Sequence, residues 1–536
     1  MSKYSKLVSK SVKFRINTIA VFFLITIISC SKKDSSPPTP PPPNPAITVS
    51  KTNLAVGSVK GFLDSFVVQS NVAWKLKLVP ADAASWLSVG ITAGVAGNTK
   101  VIVNVLGSNP NASQTCSISI IPNDGSTSLA NVEINQKAYL INWNKLFGGS
   151  STERANSAVK TSSGGIAIAG LTYSNDGDVT NNHGQTDLWV INLDASGNLI
   201  WQKAIGGSDY DVDAVITTTT DGGFFVGGTS SSNDGDLTGN HGGSDYVAVK
   251  LDASGNIVWQ KAFGGSGNDF LKAMAPTSDG GVVVTGYTLS NDGDVIGYHG
   301  NGDFFTLKLD ANGEIVWKKT MGSTNSDQAF AIAATADGGF VVGGSTNGMN
   351  DGDVVGDHTG VDTWMVKLDA NGNMIWQKAY GTINGEEIRS ISTDANDELL
   401  VAAASTNYGG NTDVWILKCN SNGEMIWQQT LGGSGEEVPK SIMPTDDGGV
   451  LMSAFSHSND GDVTSNHGAR DQWVVKLDGM GNKVWERSFG GAADDETAAA
   501  LPTADGGFYL AGYSYGGGGD LVGVPKQGDI WVLKLK

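Results

Sequence analysis

Cysteine and histidine are scarce in this 536-residue sequence, which has only three cysteines and six histidines. Cys116 and Cys419 lie in segments that we assign to different domains, so we expect no structural disulfide. Five of the histidines recur singly at a regular interval, without a second nitrogen or sulfur ligand nearby, which disfavours zinc. No Ser/His/Asp set, catalytic cysteine or phosphate-binding loop stands out either.

Basic residues are also few. The sequence has 35 Lys and Arg against 54 Asp and Glu, a net charge of −19. Such a charge repels phosphate backbones, so we expect no nucleic-acid partner, whereas it suits a solvated surface or cation binding. Glycine is abundant at 72 residues, many of them at recurring turn positions, which indicates a turn-rich β protein.

The N-terminal apolar run, residues 19–28, is too short to span a bilayer comfortably. It follows a basic stretch, and together they predict a signal peptide over residues 1–29. Ile27-Ile28-Ser29-Cys30 resembles a bacterial lipobox, which implies cleavage before Cys30, lipidation of its thiol and anchoring in the outer membrane. An ordinary secretory signal is the alternative. Residues 31–34 partly resemble the surface-export signal of Bacteroidota lipoproteins, which implies display towards the cell exterior.

Residues 30–45 are predicted to form a Pro-rich tether, because Pro37 to Pro43 favours polyproline II, a semi-rigid spacer.

Residues 46–138 carry short alternating runs separated by Gly, Asn, Asp and Pro, the pattern of an Ig-like β-sandwich. This segment resembles the BACON domain of Bacteroidota surface proteins in Trp74, Trp86-Leu87-Ser88, Gly97-Asn98 and the closing residues 135–138. The resemblance implies carbohydrate binding or a spacer role. We expect Trp74 and Trp86 to be core residues rather than a sugar platform.

Residues 139–536 repeat one unit seven times. Its key tryptophans recur at intervals of 51 to 59 residues, at Trp143, Trp201, Trp259, Trp317, Trp376, Trp427 and Trp485. Each unit predicts four strands: a small Ala/Ser-rich one, a continuously apolar one, an Asp-x-aromatic one and the tryptophan strand. Asp-Gly-Gly joins the first two, a hairpin turn in which both glycines suit φ > 0. Such a fixed period is typical of solenoids and propellers.

Four strands in each of seven units predict an all-β fold with a seven-bladed β-propeller. The last unit stops at Asp529 to Lys536 without a tryptophan strand, and the first begins with a spare one at residues 140–147. Pairing the two would close the ring and hide both edges. The array resembles the Trp/Asp-Gly-Gly propeller-repeat proteins of bacterial surfaces, a resemblance that indicates the fold and says little of activity.

An acidic loop, Asn-Asp-Gly-Asp, separates the second and third strands of five units. Strand order places these acidic loops on the same face as the Gly-Gly-Ser loops between units, here called the loop face. Each Asp-Gly-Asp sets two carboxylates around a bend, a geometry that suits Ca²⁺, although Asp and Asn also favour such turns structurally. The candidate calcium ligands are Asp176, Asp178, Asp234, Asp236, Asp292, Asp294, Asp351, Asp353, Asp460 and Asp462. The following histidines are candidate binding residues, or partners for loop backbone: His183, His241, His299, His358 and His467.

Three clusters of acids before a first strand are candidates for catalysis on glycosidic bonds. They are Glu386-Glu387 with Arg389, Glu436-Glu437 with Lys440, and Asp494-Asp495-Glu496. They occupy the position that other repeats fill with Asp211, Asp269 or Asp327, so a structural slot is the simpler interpretation. His457 is the one histidine outside the repeat pattern.

The sequence thus predicts a monomeric, non-enzymatic, lipid-anchored surface protein without a required cofactor. It would bind a glycan or a protein partner through the loop face of the propeller. The alternatives are a glycan-degrading hydrolase or lyase that uses loop-face acids, and a structural surface module stabilised by Ca²⁺.

Overall fold

The structure is a computed structural model. It describes residues 44–56, 63–106, 114–125, 127–136, 141–348, 350–356, 360–381, 385–406, 410–521, 523 and 527–536. The predicted signal peptide, Cys30, most of the tether and His358 lie outside the described residues. Within the described ranges the fold is all-β, with one short 3₁₀ helix at Ala81–Ser85 and no α-helix. None of the described helical segments is long and apolar enough to cross a membrane.

The first nine strands form two sheets. Their bounds are β1 Ile47–Val49, β2 Asn53–Val56, β3 Leu63–Ser70, β4 Trp74–Val79, β5 Leu87–Val89, β6 Ala93–Gly94, β7 Gly97–Val105, β8 Gln114–Pro122 and β9 Ala130–Gln136. One sheet has the order β1-β3-β7-β5, and the other β2-β9-β8-β4-β6. Residues of both, such as Phe66 and Ile118, share one buried cluster. Trp74 is fully buried in it and Trp86 packs against it, so the prediction that both are core residues is confirmed.

Seven four-stranded antiparallel sheets follow, numbered here as sheets 1 to 7. The spare strand is β10, Ile141–Phe147. Sheet 1 contains β11 Glu153–Lys160, β12 Ile166–Thr172, β13 Asp187–Leu193 and β14 Leu199–Ile205. Sheet 2 contains β15 Asp211–Thr218, β16 Phe224–Ser230, β17 Asp245–Leu251 and β18 Ile257–Phe263. Sheet 3 contains β19 Asp269–Pro276, β20 Val282–Thr288, β21 Asp303–Leu309 and β22 Ile315–Met321.

Sheet 4 contains β23 Asp327–Ala334, β24 Phe340–Thr346, β25 Asp362–Leu368 and β26 Met374–Tyr380. Sheet 5 contains β27 Gly385–Thr393, β28 Leu399–Thr406, β29 Thr412–Cys419 and β30 Met425–Leu431. Sheet 6 contains β31 Glu437–Pro444, β32 Val450–Ser456, β33 Asp471–Leu477 and β34 Lys483–Phe489. Sheet 7 contains β35 Asp495–Pro502, β36 Phe508–Ser514, β37 Asp529–Leu535 and the spare strand β10.

The first and last parts of the repeat array meet. Strand β10 pairs antiparallel with β37, from Ile141 opposite Leu535 to Phe147 opposite Ile530. The first strand of each sheet contacts the first strand of the next, and β35 of sheet 7 contacts β11 of sheet 1. One buried cluster accordingly contains Ile168 of sheet 1 together with Val532 of sheet 7. Second strands such as β12 and β16 are buried along their whole length because neighbouring sheets cover both faces.

The Asp-Gly-Gly turns differ from the prediction in one respect. Only the first glycine takes a positive φ, 85° at Gly222, and the second does not. The second glycine is required by space, because a Cβ on Gly223 would lie 2.2 Å from the carbonyl oxygen of Leu251. The turn therefore uses one glycine for conformation and one for a close approach of two backbones.

A hydrogen bond from the repeated tryptophan links the outer strands of six sheets to the next sheet. The indole N–H of Trp143 on β10 donates to the carbonyl of Ala195 in sheet 1 at 3.1 Å, and Trp201 does the same to Ala253 in sheet 2 at 3.1 Å. Trp259, Trp317, Trp376 and Trp427 repeat this bond. The period in the sequence is thus the period of a contact between sheets.

Candidate functional site

The acidic loops contact the Gly-Gly-Ser loops, so their placement on one face is confirmed. In sheet 1 the backbone N–H of Ser150 donates to Oδ1 of Asp176 at 2.6 Å. The first aspartate of the other acidic loops accepts in the same way, in the pairs Ser208–Asp234, Ser266–Asp292, Thr324–Asp351 and Ser434–Asp460. These carboxylates therefore satisfy backbone donors of a tight loop.

The second aspartate of four acidic loops also contacts the preceding Gly-Gly-Ser loop. It accepts from a glycine N–H in the pairs Gly148–Asp178, Gly264–Asp294, Gly322–Asp353 and Gly432–Asp462, at 3.1 to 3.4 Å. Asp236 instead lies 3.9 Å from Nζ of Lys203 and 3.8 Å from Nε2 of His183. Among the described residues, no group of three or more His, Cys, Asp or Glu side chains is placed to hold a metal ion. Calcium binding by these aspartates stays a prediction.

The loop histidines bind a carboxylate with their rings. Nδ1 of His183 lies 2.7 Å from Oδ2 of Asp187, and the backbone N–H of His183 donates to the same oxygen. His241, His299 and His467 repeat the arrangement with Asp245, Asp303 and Asp471. The hydrogen bond to Asp471 raises the pKa of the His467 ring. The ring thus fixes the loop to the start of the third strand.

A buried acid is the first or second residue of the first strand in every sheet. The seven residues are Glu153, Asp211, Asp269, Asp327, Glu386, Glu437 and Asp495, each at most 1% exposed. Burial raises the pKa of Asp211 to about 6 and that of Asp495 to about 7, with smaller contributions from the facing carboxylates Asp187 and Asp471. Glu386, Glu437 and Asp495 thus occupy the structural slot that the repeat pattern indicates, away from solvent.

The first strands of all seven sheets line one cavity of about 550 Å³. Each of these strands carries a register shift, after Ala155, Val212, Leu271, Ala329, Ile388, Pro439 and Thr497. In six sheets the extra residue of this bulge lines the cavity: Asn156, Lys272, Phe330, Arg389, Lys440 and Ala498. In sheet 2 the irregular stretch contains Asp213, at φ 60°. A bulge re-aims a side chain out of the sheet alternation, here into the cavity.

The bulge positions break the symmetry of the repeat. Four consecutive sheets, 3 to 6, supply Lys272, Phe330, Arg389 and Lys440, whereas Asn156 and Ala498 are small and uncharged. The guanidinium of Arg389 lies over the Phe330 ring, 5.0 Å from its centroid. One side of the cavity is therefore cationic and aromatic.

Each of these cations has a carboxylate partner. Nζ of Lys272 lies 2.7 Å from Oδ2 of Asp213, and Nε of Arg389 lies 3.0 Å from Oε1 of Glu387. Lys440 lies 3.7 Å from Glu496. Burial lowers the pKa of the Lys440 ammonium; Glu496 opposes this effect, and the nearby charges of Arg389 and Arg470 add to it. Burial likewise raises the pKa of Glu387.

A second polar cluster adjoins Lys440 and contains the odd histidine. Arg470 donates through Nη1 to Glu496 at 2.5 Å and through Nε to Nε2 of His457 at 3.0 Å. Its guanidinium lies 4.6 Å from the centroid of the Phe455 ring, and His457 Nδ1 lies 3.5 Å from Glu436. Of the acids proposed for catalysis from sequence, Glu436, Glu387 and Glu496 thus pair with a cation or a histidine.

Sequence reasoning missed Lys272 and Phe330 as candidate site residues. It named Arg389 and Lys440 only as companions of acids. The usable signal is that the fourth residue, counted from the buried acid of the first strand as residue one, varies between repeats, while the acid itself recurs in all seven. Strict alternation of side chains along a strand does not predict that this fourth side chain faces a cavity, because alternation takes no account of the bulge.

No family model matches this sequence. The chain is 24% identical over 222 residues to the regulatory protein FlaEY of Caulobacter vibrioides, which corresponds to 38% of this chain and 23% of that protein. The chain therefore spans less than a quarter of the length of this relative.

Solved structures show only distant likenesses. A Bacteroides ovatus GH5 xyloglucanase in complex with a heptasaccharide has 13% identity and a TM-score of 0.16, over 26% of this chain and 30% of that chain. The Hadza microbial sialidase Hz136 has 12% identity and a TM-score of 0.38, over 67% and 75%. A Synechocystis apocarotenoid oxygenase has 13% identity and a TM-score of 0.37, over 68% and 88%. At these TM-scores the likenesses carry no argument about activity.

Proposed function

We propose that this chain is a lipid-anchored cell-surface binding protein, and that it recognises a glycan or a protein partner through the loop face of a closed seven-bladed β-propeller. The observation that carries this proposal is the asymmetry of the bulge positions. Six of the seven bulge positions line one cavity, and they hold asparagine, phenylalanine, arginine, alanine and two lysines, whereas the buried slot beside them is acidic in every repeat. A purely structural array has no need of such variety, and a binding site does.

Three observations support the closed ring. Strand β10 completes the sheet that contains the C-terminal strand β37. The cluster shared by sheets 7 and 1 resembles those between consecutive sheets. One cavity is lined by the first strands of all seven sheets. Closure removes the exposed edges that an open array would present.

The lipid anchor and the role of the first domain are proposed from the sequence alone. The lipobox resemblance around Cys30 favours lipidation and an outer-membrane location that faces the exterior. The BACON resemblance of residues 46–138 favours an Ig-like domain that binds carbohydrate or acts as a spacer. Metabolic labelling with palmitate tests the anchor, because label should enter the wild-type chain and be absent from Cys30→Ala.

A role in binding is favoured over hydrolysis by the state of the acids. Glu437 and Glu386 are buried, and Glu437 accepts hydrogen bonds from the Gly433 N–H and the Ser456 hydroxyl. Glu387 and Glu496 are held by Arg389 and Arg470. A general acid needs access to its substrate, and the buried side chains of Glu437 and Glu386 do not have it.

Binding to a glycan array by residues 139–536, compared with residues 46–138, tests the function. The proposal expects the propeller segment to bind a subset of glycans, or a surface protein in a parallel pull-down, without turnover. Polysaccharide cleavage by the wild type that is lost in Glu387→Gln would establish an enzyme instead. Binding by residues 46–138 alone would move recognition to the first domain.

A further inference from the structure

The charged side chains that line the cavity are all cations, although the protein is strongly acidic. Its lining includes Lys160, Lys272, Arg389 and Lys440, and none of the described residues that line it is Asp or Glu. The whole chain, by contrast, carries a net charge of −19. The cavity wall therefore presents four cations, and the carboxylate partners of three of them lie behind the wall. A concave site lined by one sign of charge concentrates ligands of the other sign.

Three of the four cations gather at the loop-face end. Lys272, Arg389 and Lys440 occupy bulge positions near the start of their strands, whereas Lys160 ends β11 and donates to the carbonyl of Pro502 at 2.8 Å. Lys440 and Arg389 occupy the bulge positions of consecutive sheets. Burial lowers the pKa of the Lys440 ammonium, and the charge of Arg389 lowers it further. Gathering like charges in a partly buried cavity is unfavourable, and a bound anion would relieve that repulsion.

The acid partners hold these cations without using all of their donors. Asp213, Glu387 and Glu496 do not line the cavity. Each therefore orients its cation from outside the cavity. An arginine has five N–H donors and a lysine has three, so one carboxylate contact leaves donor capacity for a second anion. Arg389 suits a planar carboxylate or a sulfate in particular, because its donors form a fixed fork.

We propose that the loop-face end of this cavity binds a saccharide unit that carries a carboxylate or a sulfate, with Arg389 as the central contact and Lys272 and Lys440 beside it. Phe330 lies under the Arg389 guanidinium and lines the same wall of the cavity, where it supports the position of Arg389 and adds apolar surface. The volume of about 550 Å³ suits one or two sugar units rather than a folded partner. This inference rests on the proposed function and names the ligand class of the same site.

Calorimetric titration of the full chain tests the inference with three probes: a galacturonate trisaccharide, a sulfated carrageenan disaccharide that contains no carboxylate, and a neutral cellotriose. We expect at least one anionic probe to bind about tenfold or more tightly than cellotriose, and its affinity to fall as salt is raised. Comparison of the galacturonate probe with the sulfated probe shows whether the cavity prefers a carboxylate or a sulfate.

Variants locate the contact. Arg389→Gln and Lys440→Met should each weaken the anionic probe about tenfold or more, the loss expected for a hydrogen-bonded charge. Lys160→Gln, at the opposite end of the same cavity, should stay within about twofold of the wild type. Thermal unfolding of each variant shows whether a loss of binding reflects a loss of fold, and Arg389→Lys should recover part of the affinity if position 389 acts through its charge.

The outcomes separate the two proposals. Equal affinity for cellotriose and the anionic probes, or unchanged binding by a folded Arg389→Gln, overturns the anionic-ligand inference and leaves the binding function standing. Absence of any glycan or protein binding by the wild-type chain overturns both.

Discussion

At the residue scale, glycine is fixed by two separate demands. Gly222 and Gly255 both take a positive φ, 85° and 83°. A Cβ on Gly222 would meet nothing within 4 Å, whereas a Cβ on Gly255 would lie 2.8 Å from the Trp201 ring. The repeat therefore contains glycines that serve conformation alone and glycines that also serve the contact with tryptophan between sheets.

This difference predicts unequal costs for one chemical change. Gly222→Ala should lower the free energy of unfolding by about 1–2 kcal/mol, the cost of a left-handed alanine. Gly255→Ala should cost about 2–5 kcal/mol, because crowding against Trp201 adds about 1–3 kcal/mol. Urea unfolding of the two variants and the wild type measures both values. Equal destabilisation would show that the tryptophan contact does not constrain position 255.

At the element scale, neighbouring sheets place buried carboxyl groups close together as well as apolar side chains. Asp495 begins β35 of sheet 7 and faces Asp471 of sheet 6, and a Cβ on Gly490 would lie within 3 Å of oxygens from both. Burial raises the pKa of Asp495 to about 7, far above its ordinary 3.8. In this case the folded state holds a proton that the unfolded chain has already lost between about pH 4 and 7.

The sign of the pH dependence follows from that difference. Where the folded state binds more protons than the unfolded state, stability falls as pH rises. Asp495 should therefore make the free energy of unfolding decline from pH 4 to 7, and Asp495→Asn should reduce that decline. The turn residue Asp252 is a control, because hydrogen bonds from Asn256 lower its pKa, so Asp252→Asn should leave the slope in this window unchanged. Urea midpoints across the window measure the slopes; identical slopes for Asp495→Asn and the wild type would contradict the assignment.

The sequence predicts elements better than it predicts the site. The four strands of each repeat follow from turn residues and from apolar runs, because both are local signals. The loop histidines were expected to bind backbone, but the ring of His183 binds Asp187, a choice between two acceptors that spacing alone does not decide. The cavity is harder to predict from the sequence than the loops are. Lys272 and Arg389 line it together because separate sheets pack around it, and each side chain faces it because of a bulge.

At the scale of the whole molecule, the account depends on how the repeat array ends. Strand β10 lies beside β37 with Lys145 opposite Val532, although the two residues are near opposite ends of the array. The first strands surround one cavity only if sheets 7 and 1 are neighbours, as the contacts of β11 with β35 require. The assignment of loops to one face, the cavity and the grouping of its cations all depend on sheets 7 and 1 being neighbours.

A disulfide crosslink between β10 and β37 tests this arrangement most directly. Directly opposed residues of an antiparallel pair have Cα atoms about 4.5–5.5 Å apart, within the range that a disulfide spans. In a chain that begins at residue 44, Lys145→Cys combined with Val532→Cys should oxidise to an intramolecular disulfide in the monomer, seen as a mass loss of two hydrogens and a peptide linking the two strands. Free thiols at positions 145 and 532 after oxidation, or crosslinks found only in dimers, would contradict a ring closed within one chain; the buried Cys116 and Cys419 stay reduced in every case.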